Sequence, residues 1–161
     1  MDGLTVVFDK IVEQITIPVI LEHNGCSSKL LALIDTGAMH STIPLWEANS
    51  LKLQRIGMVD AVFAKGHDTL PIVNANLIFS DKIYFKNKDL IVIDNDDCSY
   101  GMIVGMDILS QGDMAISNFN GHTTFTFRMP SQEETKYSDE LITDDGINFL
   151  LDKIEDSLLS T

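Results

Sequence analysis

The sequence predicts an all-β fold, a barrel or a sandwich, with a helical appendage at its C-terminal end. Three observations carry that expectation. Short apolar or alternating runs, many of them β-branched, recur up to Pro130. Turn signals centred on glycine and asparagine separate these runs at the spacing of hairpins. Beyond Pro130 the pattern changes to a polar stretch and then to apolar residues at helical spacing. Residues 1–130 are therefore read as one domain, and residues 131–161 as an acidic linker and an amphipathic helical tail.

The elements follow in order. Residues 15–21, rich in isoleucine and valine, pair with the continuous apolar run 30–34. Glu22-His23-Asn24-Gly25 joins them, and Asn-Gly suits a two-residue hairpin turn because both of its positions take positive φ. Residues 41–44 make a short strand that leads into a helical stretch near 45–51. Residues 59–64 and 70–79 are the arms of a second hairpin with Lys65-Gly66-His67-Asp68 at its tip. Residues 82–85 and 90–93 read as two further short strands, followed by the polar connection Asp94-Asn95-Asp96-Asp97. The run 100–104 is apolar, and residues 105–109 open a short helix. Residues 115–118 and 123–127 close the domain as a hairpin around Asn120-Gly121. In the tail, Ile147, Leu150, Leu151, Ile154 and Leu158 form one apolar stripe, which predicts a helix over about 145–159 with Asp144 or Asp145 as its cap.

Composition narrows the functional classes. The formal net charge of −13 argues against nucleic acid as a partner and against docking on an anionic membrane. The tail holds nine acids against two lysines, a net −7. No apolar run approaches the roughly 20 residues needed to cross a bilayer. The start, Met1-Asp2-Gly3-Leu4, lacks the basic and then apolar order of a signal peptide. Cys26 and Cys98 stand far apart without metal-ligand spacing. They read as free thiols of a reducing, cytoplasmic compartment, and no metal or other cofactor is expected.

The chemistry concentrates in Leu33-Ile34-Asp35-Thr36-Gly37-Ala38. An apolar strand runs straight into a carboxylate, and a carboxylate left bare in such a frame is very costly. Thr36 offers a hydroxyl, and Gly37 lets the backbone bend close enough to donate to it. This is a way to place an acid at the mouth of a site. A second segment, Met102-Ile103-Val104-Gly105-Met106-Asp107-Ile108-Leu109, lies about 70 residues later, beyond the glycine-bearing hairpin.

Together these segments resemble a single-domain retropepsin-like aspartic protease of the bacterial or phage kind. Met39-His40-Ser41-Thr42-Ile43, Gln111-Gly112-Asp113 and Asn120-Gly121-His122-Thr123-Thr124-Phe125-Thr126-Phe127 extend the likeness over residues 15–130. The resemblance implies an acid-protease barrel with one short helix, and peptide hydrolysis by a water held between two carboxylates. One carboxylate acts as base and the other, protonated, polarises the scissile carbonyl. Two like charges about 3 Å apart repel by roughly 5 kcal/mol at an effective dielectric near 20, so the two share a proton. The chain holds one Asp-Thr-Gly, and Asp68-Thr69-Leu70 lacks the glycine. A second copy must bring the other Asp35, which implies a homodimer acting on a protein or peptide.

The resemblance also assigns supporting roles. Asp35 is the catalytic residue, and Thr36, Gly37 and Ala38 complete the active-site turn. The Thr36 hydroxyl braces the two copies, Gly66 marks the tip of a flap over the substrate, and Gly105 is scaffold beneath the site. His40 and His67 read as structural or exposed side chains. Viral members often carry an acid after the motif alanine and an arginine after the second-segment glycine. Here Met39 and Met106 stand there, which suggests an apolar contact in place of an ion pair. A non-catalytic binding or assembly module on the same fold is the alternative reading, and an acidic partner-binding protein working through its tail is a third.

Overall fold

A computed structural model describes residues 3–63, 66–94 and 100–136. Among these residues there are ten strands. They are β1 (Gly3–Val7), β2 (Thr16–His23), β3 (Cys26–Ile34), β4 (Thr42–Pro44), β5 (Gly57–Phe63), β6 (Gly66–Ile78), β7 (Tyr84–Ile93), β8 (Met102–Val104), β9 (Asp113–Ser117) and β10 (Thr124–Arg128). Two short α-helices, α1 (Leu45–Ser50) and α2 (Met106–Leu109), follow β4 and β8. The amphipathic tail helix expected over 145–159 lies outside the described residues, as does Cys98.

Six strands close a barrel in the order β2-β3-β8-β4-β7-β6, with β6 returning to β2 through Ile20–Glu22 against Asn76–Ile78. Most neighbours are antiparallel, but β3 with β8 and β4 with β7 are parallel. Alternation decides what faces inward. On β2, Ile17, Val19 and Leu21 point into the core, and on β6 so do Val73, Ala75 and Leu77. Phe79 and Phe85 meet edge to face, with ring centroids 5.8 Å apart, at the end of the β6–β7 pair. Ile43, Leu90, Met102, Val104, Ile108 and Phe125 are buried with them.

Some expectations are met and others are revised. Asn24 and Gly25 take φ of 49° and 79°, as the hairpin turn requires. Residues 82–85 and 90–93 do not form two strands but belong largely to one, β7. It stays continuous because a bulge absorbs the polar middle. The register passes from Ala75↔Lys88 to Leu77↔Phe85, and Asn87 takes φ 50°. Asn76 Oδ1 accepts from Asn87 N at 3.0 Å, and Asn74 Nδ2 donates to Asn87 O at 2.8 Å. An element without a counterpart in the sequence reading is β1, a strand that local pattern does not announce. It exists because β10 offers it an edge from Gly3↔Arg128 to Val7↔Thr124.

β1, β10 and β9 form a second, three-stranded sheet whose inner residues Phe125 and Phe127 are buried in the core. Among the described residues no helix is long and apolar enough to cross a membrane. α1 carries Glu47 inward to 1% exposure, and its Oε1 has no hydrogen-bond partner among the described residues.

The exit from the domain is clamped. Asp113 on β9 accepts from Arg128 Nε at 2.9 Å, from Gln132 N at 2.8 Å and from the Ser131 hydroxyl. Arg128 reaches on to Glu133 at 3.0 Å. The Ser131 hydroxyl and the Gln132 N–H, followed by Arg128, hold the Asp113 carboxyl well below the usual aspartate range. A carboxyl depressed in this way adds stability above its unfolded range and loses it as pH falls through the folded value. Asp113→Asn is therefore expected to be less stable than the parent near pH 7. The gap should shrink progressively as the pH drops below about 4, where the unfolded carboxyl takes up its proton, and on down through the folded value, as urea unfolding followed across pH would record.

Candidate active site

Asp35 sits one residue beyond β3. Its backbone N–H donates to Val104 O at 3.0 Å, so the β3–β8 pairing of Ile34 with Val104 carries on into the turn. Its carbonyl accepts from Ala38 N at 3.3 Å, which closes the turn. Its side-chain Oδ1 accepts from Gly37 N at 2.8 Å. A Cβ at Gly37 would lie 3.2 Å from that same oxygen, tighter than a side chain usually tolerates. Asp35 is half-buried while Thr36 and Gly37 are exposed. The result is a carboxylate oriented by one backbone donor, with its second oxygen unengaged by the described residues. Such a group can accept a proton from a bound water or donate one to a carbonyl.

The loop after Asp35 rests on the segment that begins α2. Met106 N donates to Ala38 O at 2.8 Å, and Asp107 N to Met39 O at 3.1 Å. Gly105 lies against this loop so closely that a Cβ would fall 2.8 Å from both Ala38 O and the carbonyl carbon of His40. Beneath it Ser41, fully buried, accepts from Gly105 N at 3.0 Å and donates to Asp107 Oδ1 at 2.7 Å. Asp107 Oδ2 pairs with Lys88 Nζ at 3.0 Å. Sequence reasoning placed Gly105 as scaffold but gave Ser41, Lys88 and Asp107 no role. The signal available for Ser41 was a hydroxyl between a polar turn and a strand, which is too common to read alone.

The structure brings Asp35, Thr36, Gly37, Ala38 and Gly105 together and leaves Gly66 on another element. Gly66, with φ 136°, opens β6 and pairs with Phe63. The tip expected over residues 65–68 is revised in part: Gly66, His67 and Asp68 stand in β6, paired with Phe63, Val62 and Ala61, and residues 64–65 lie outside the described residues. On the same hairpin the Thr69 hydroxyl donates to Asp60 at 2.8 Å. Met39 and Met106 follow the two paired segments and are 70% and 36% exposed, so Met39 lies largely in solvent and Met106 about one-third so. His40 is exposed. Among the described residues no group of three or more His, Cys, Asp or Glu is placed to hold a metal ion.

The chain is similar to known proteins in family and in fold. A family model described as "gag-polyprotein putative aspartyl protease" matches residues 21–111. Among solved structures, a retropepsin-like aspartic protease from Rickettsia conorii superposes with a TM-score of 0.50 at 15% identity, covering 78% of this chain and 92% of that one. The EIAV protease, solved with an inhibitor, gives 0.49 at 22% identity over 65% of this chain and 92% of that one. The retroviral protease-like domain of Ddi1 from Leishmania major gives 0.46 at 19% identity, covering 71% and 95%. A comparison with curated proteins gives no match. The fold is the retropepsin-like barrel.

The packing around Gly105 is testable without any assumption about activity. Gly105→Ala must push either the turn or the start of α2 aside, because the atoms that it meets are backbone. The expected cost is about 1–3 kcal/mol or more, measurable by equilibrium urea unfolding.

Proposed function

The chain belongs to the gag-polyprotein aspartyl protease family, and on that premise we propose that it is an aspartic endopeptidase working as a homodimer. The observation that carries this reading is the half-exposed Asp35 carboxylate, held by Gly37 N–H in a turn of Asp-Thr-Gly-Ala. A barrel needs no acid there for its own stability. The chain holds one such motif, so the two carboxylates of the reaction come from two copies.

In this mechanism a water lies between the two Asp35 side chains. One carboxylate takes its proton as the oxygen attacks the peptide carbonyl. The other, protonated, donates to the developing oxyanion, and a proton then passes to the leaving amine. Gly37 N–H keeps the carboxyl in the plane from which it can reach the water. The exposed hydroxyl of Thr36, without a partner among the described residues, is free to brace the second copy. The β5–β6 hairpin covers the bound peptide and excludes water. The free, exposed thiol of Cys26 fits a reducing, cytoplasmic setting.

Two experiments test the reading. Asp35→Asn is expected to lower peptide cleavage by at least about 100-fold while leaving the circular dichroism spectrum unchanged; full activity in this variant would refute the assignment. Specific activity should also fall as the chain is diluted, because monomers hold half a site. A clean monomer by sedimentation, at concentrations where specific activity stays constant, would exclude the dimer.

A further inference from the structure

We propose that Lys88 is a positioning residue for Asp35, acting through Asp107 and Ser41 and never touching the substrate. The proposal rests on the peptidase reading and extends it to an element, β7, that is remote from the motif in sequence.

The contacts form a continuous line. Lys88 Nζ lies 3.0 Å from Asp107 Oδ2 and also donates to the Asp107 carbonyl at 3.2 Å. The two side chains are only 19% and 17% exposed, so this is not a freely solvated surface pair of the kind that contributes little. The other carboxylate oxygen of Asp107 receives the Ser41 hydroxyl at 2.7 Å, and Ser41 in turn accepts Gly105 N at 3.0 Å. The Asp107 N–H holds Met39 O. Asp107 therefore grips the active-site loop twice, once by its backbone at Met39 and once by its side chain at Ser41. Gln111 Nε2 binds the Asp107 carbonyl at 2.8 Å, but no contact of Gln111 reaches the carboxylate.

Physics decides what Lys88 contributes. A mostly buried carboxylate that loses its cation must find new donors or water. Asp107 can do so only by turning away from the barrel, and its bond to the Ser41 hydroxyl turns with it. Ser41 is fully buried and is the acceptor for Gly105 N, so the disturbance passes into the contact on which residues 38–40 rest. A small displacement of a reacting group is costly in rate even when its cause is distant.

The experiment uses the full chain at a concentration where activity per subunit is constant. Lys88→Met and Lys88→Arg are compared with the parent for kcat, KM and amide exchange of residues 35–41. Lys88→Met is expected to lower kcat about 10–100-fold with KM nearly unchanged. Exchange should quicken in residues 35–41 and stay the same in β2 and β6, and Lys88→Arg should restore both readouts. If Lys88→Met does not fold, the double variant Lys88→Met/Asp107→Asn removes both charges, keeps an acceptor for Ser41 and should retain most of kcat. An unchanged kcat in Lys88→Met overturns the proposal, as does a loss that Lys88→Arg leaves in place or a double variant without activity. If the parent itself shows no turnover, the peptidase reading falls alone. Unchanged exchange at residues 35–41 in Lys88→Met would then overturn the positioning claim independently.

Discussion

The active-site turn has no framework of its own, and its dependence on the backbone of residues 105–107 governs the rest of the structure. Inside the Asp-Thr-Gly-Ala turn only local bonds act, from Gly37 N to Asp35 Oδ1 at 2.8 Å and from Ala38 N to Asp35 O at 3.3 Å. Its rigidity comes from outside. Asp35 N is tied to β8, and Ala38 and Met39 are tied to the first residues of α2. Those residues can come so near only because position 105 lacks a side chain. Barrel closure makes this possible, since β8 lies between β3 and β4 and delivers its end beside both ends of the turn. The topology and the site are thus one constraint: the parallel pairing of β3 with β8 is what gives a carboxylate a fixed direction.

This constraint explains what was legible in the sequence and what was not. The motif around Asp35 and the segment around Gly105 could be read because each combines an apolar strand with a small-residue turn, and few local structures use that combination. The hairpin at Asn24-Gly25 was legible for a similar reason, as positive φ at two successive residues selects its own residue types. The strand β1 was not legible, because five residues at a chain end become a strand only when β10 pairs with them. The continuity of β7 was hidden as well. Its middle, Lys86-Asn87-Lys88-Asp89, looks like a turn by composition, and only the asparagines of β6 convert it into a bulge.

The same stretch of β7 hides the polar support of the site. Lys88 reads as a solvent-facing lysine in a polar run, and Asp107 as a helix-start acid. Neither residue type at its own position suggests the other. Three-dimensional pairing makes them a unit, with Ser41 as the link to Gly105. Satisfaction of buried groups requires such a link. Ser41 has no exposure, and its hydroxyl must both donate and accept to be tolerated there. Asp107 and Gly105 N meet those two needs, and among the described residues the cation beside the carboxylate comes from β7.

Met39 and Met106 show the opposite solution on the outer side of the same contact. Their backbones are joined to the paired segments by hydrogen bonds, but the Met39 side chain is largely in solvent and that of Met106 partly so. Exposed thioethers beside a half-exposed carboxylate leave apolar surface to be covered, and flexible methionines can adapt to more than one covering surface. A second copy bringing its own Asp35 would approach from this side under the proposed mechanism. The inner face of the turn is held by charge and hydrogen bonds whose directions are fixed, and the outer face offers contacts whose directions are not. That division suits a site assembled from two folded halves. Under the proposed mechanism each half would keep its carboxylate oriented while alone, and the joint between them would tolerate imperfect fit until both are in place.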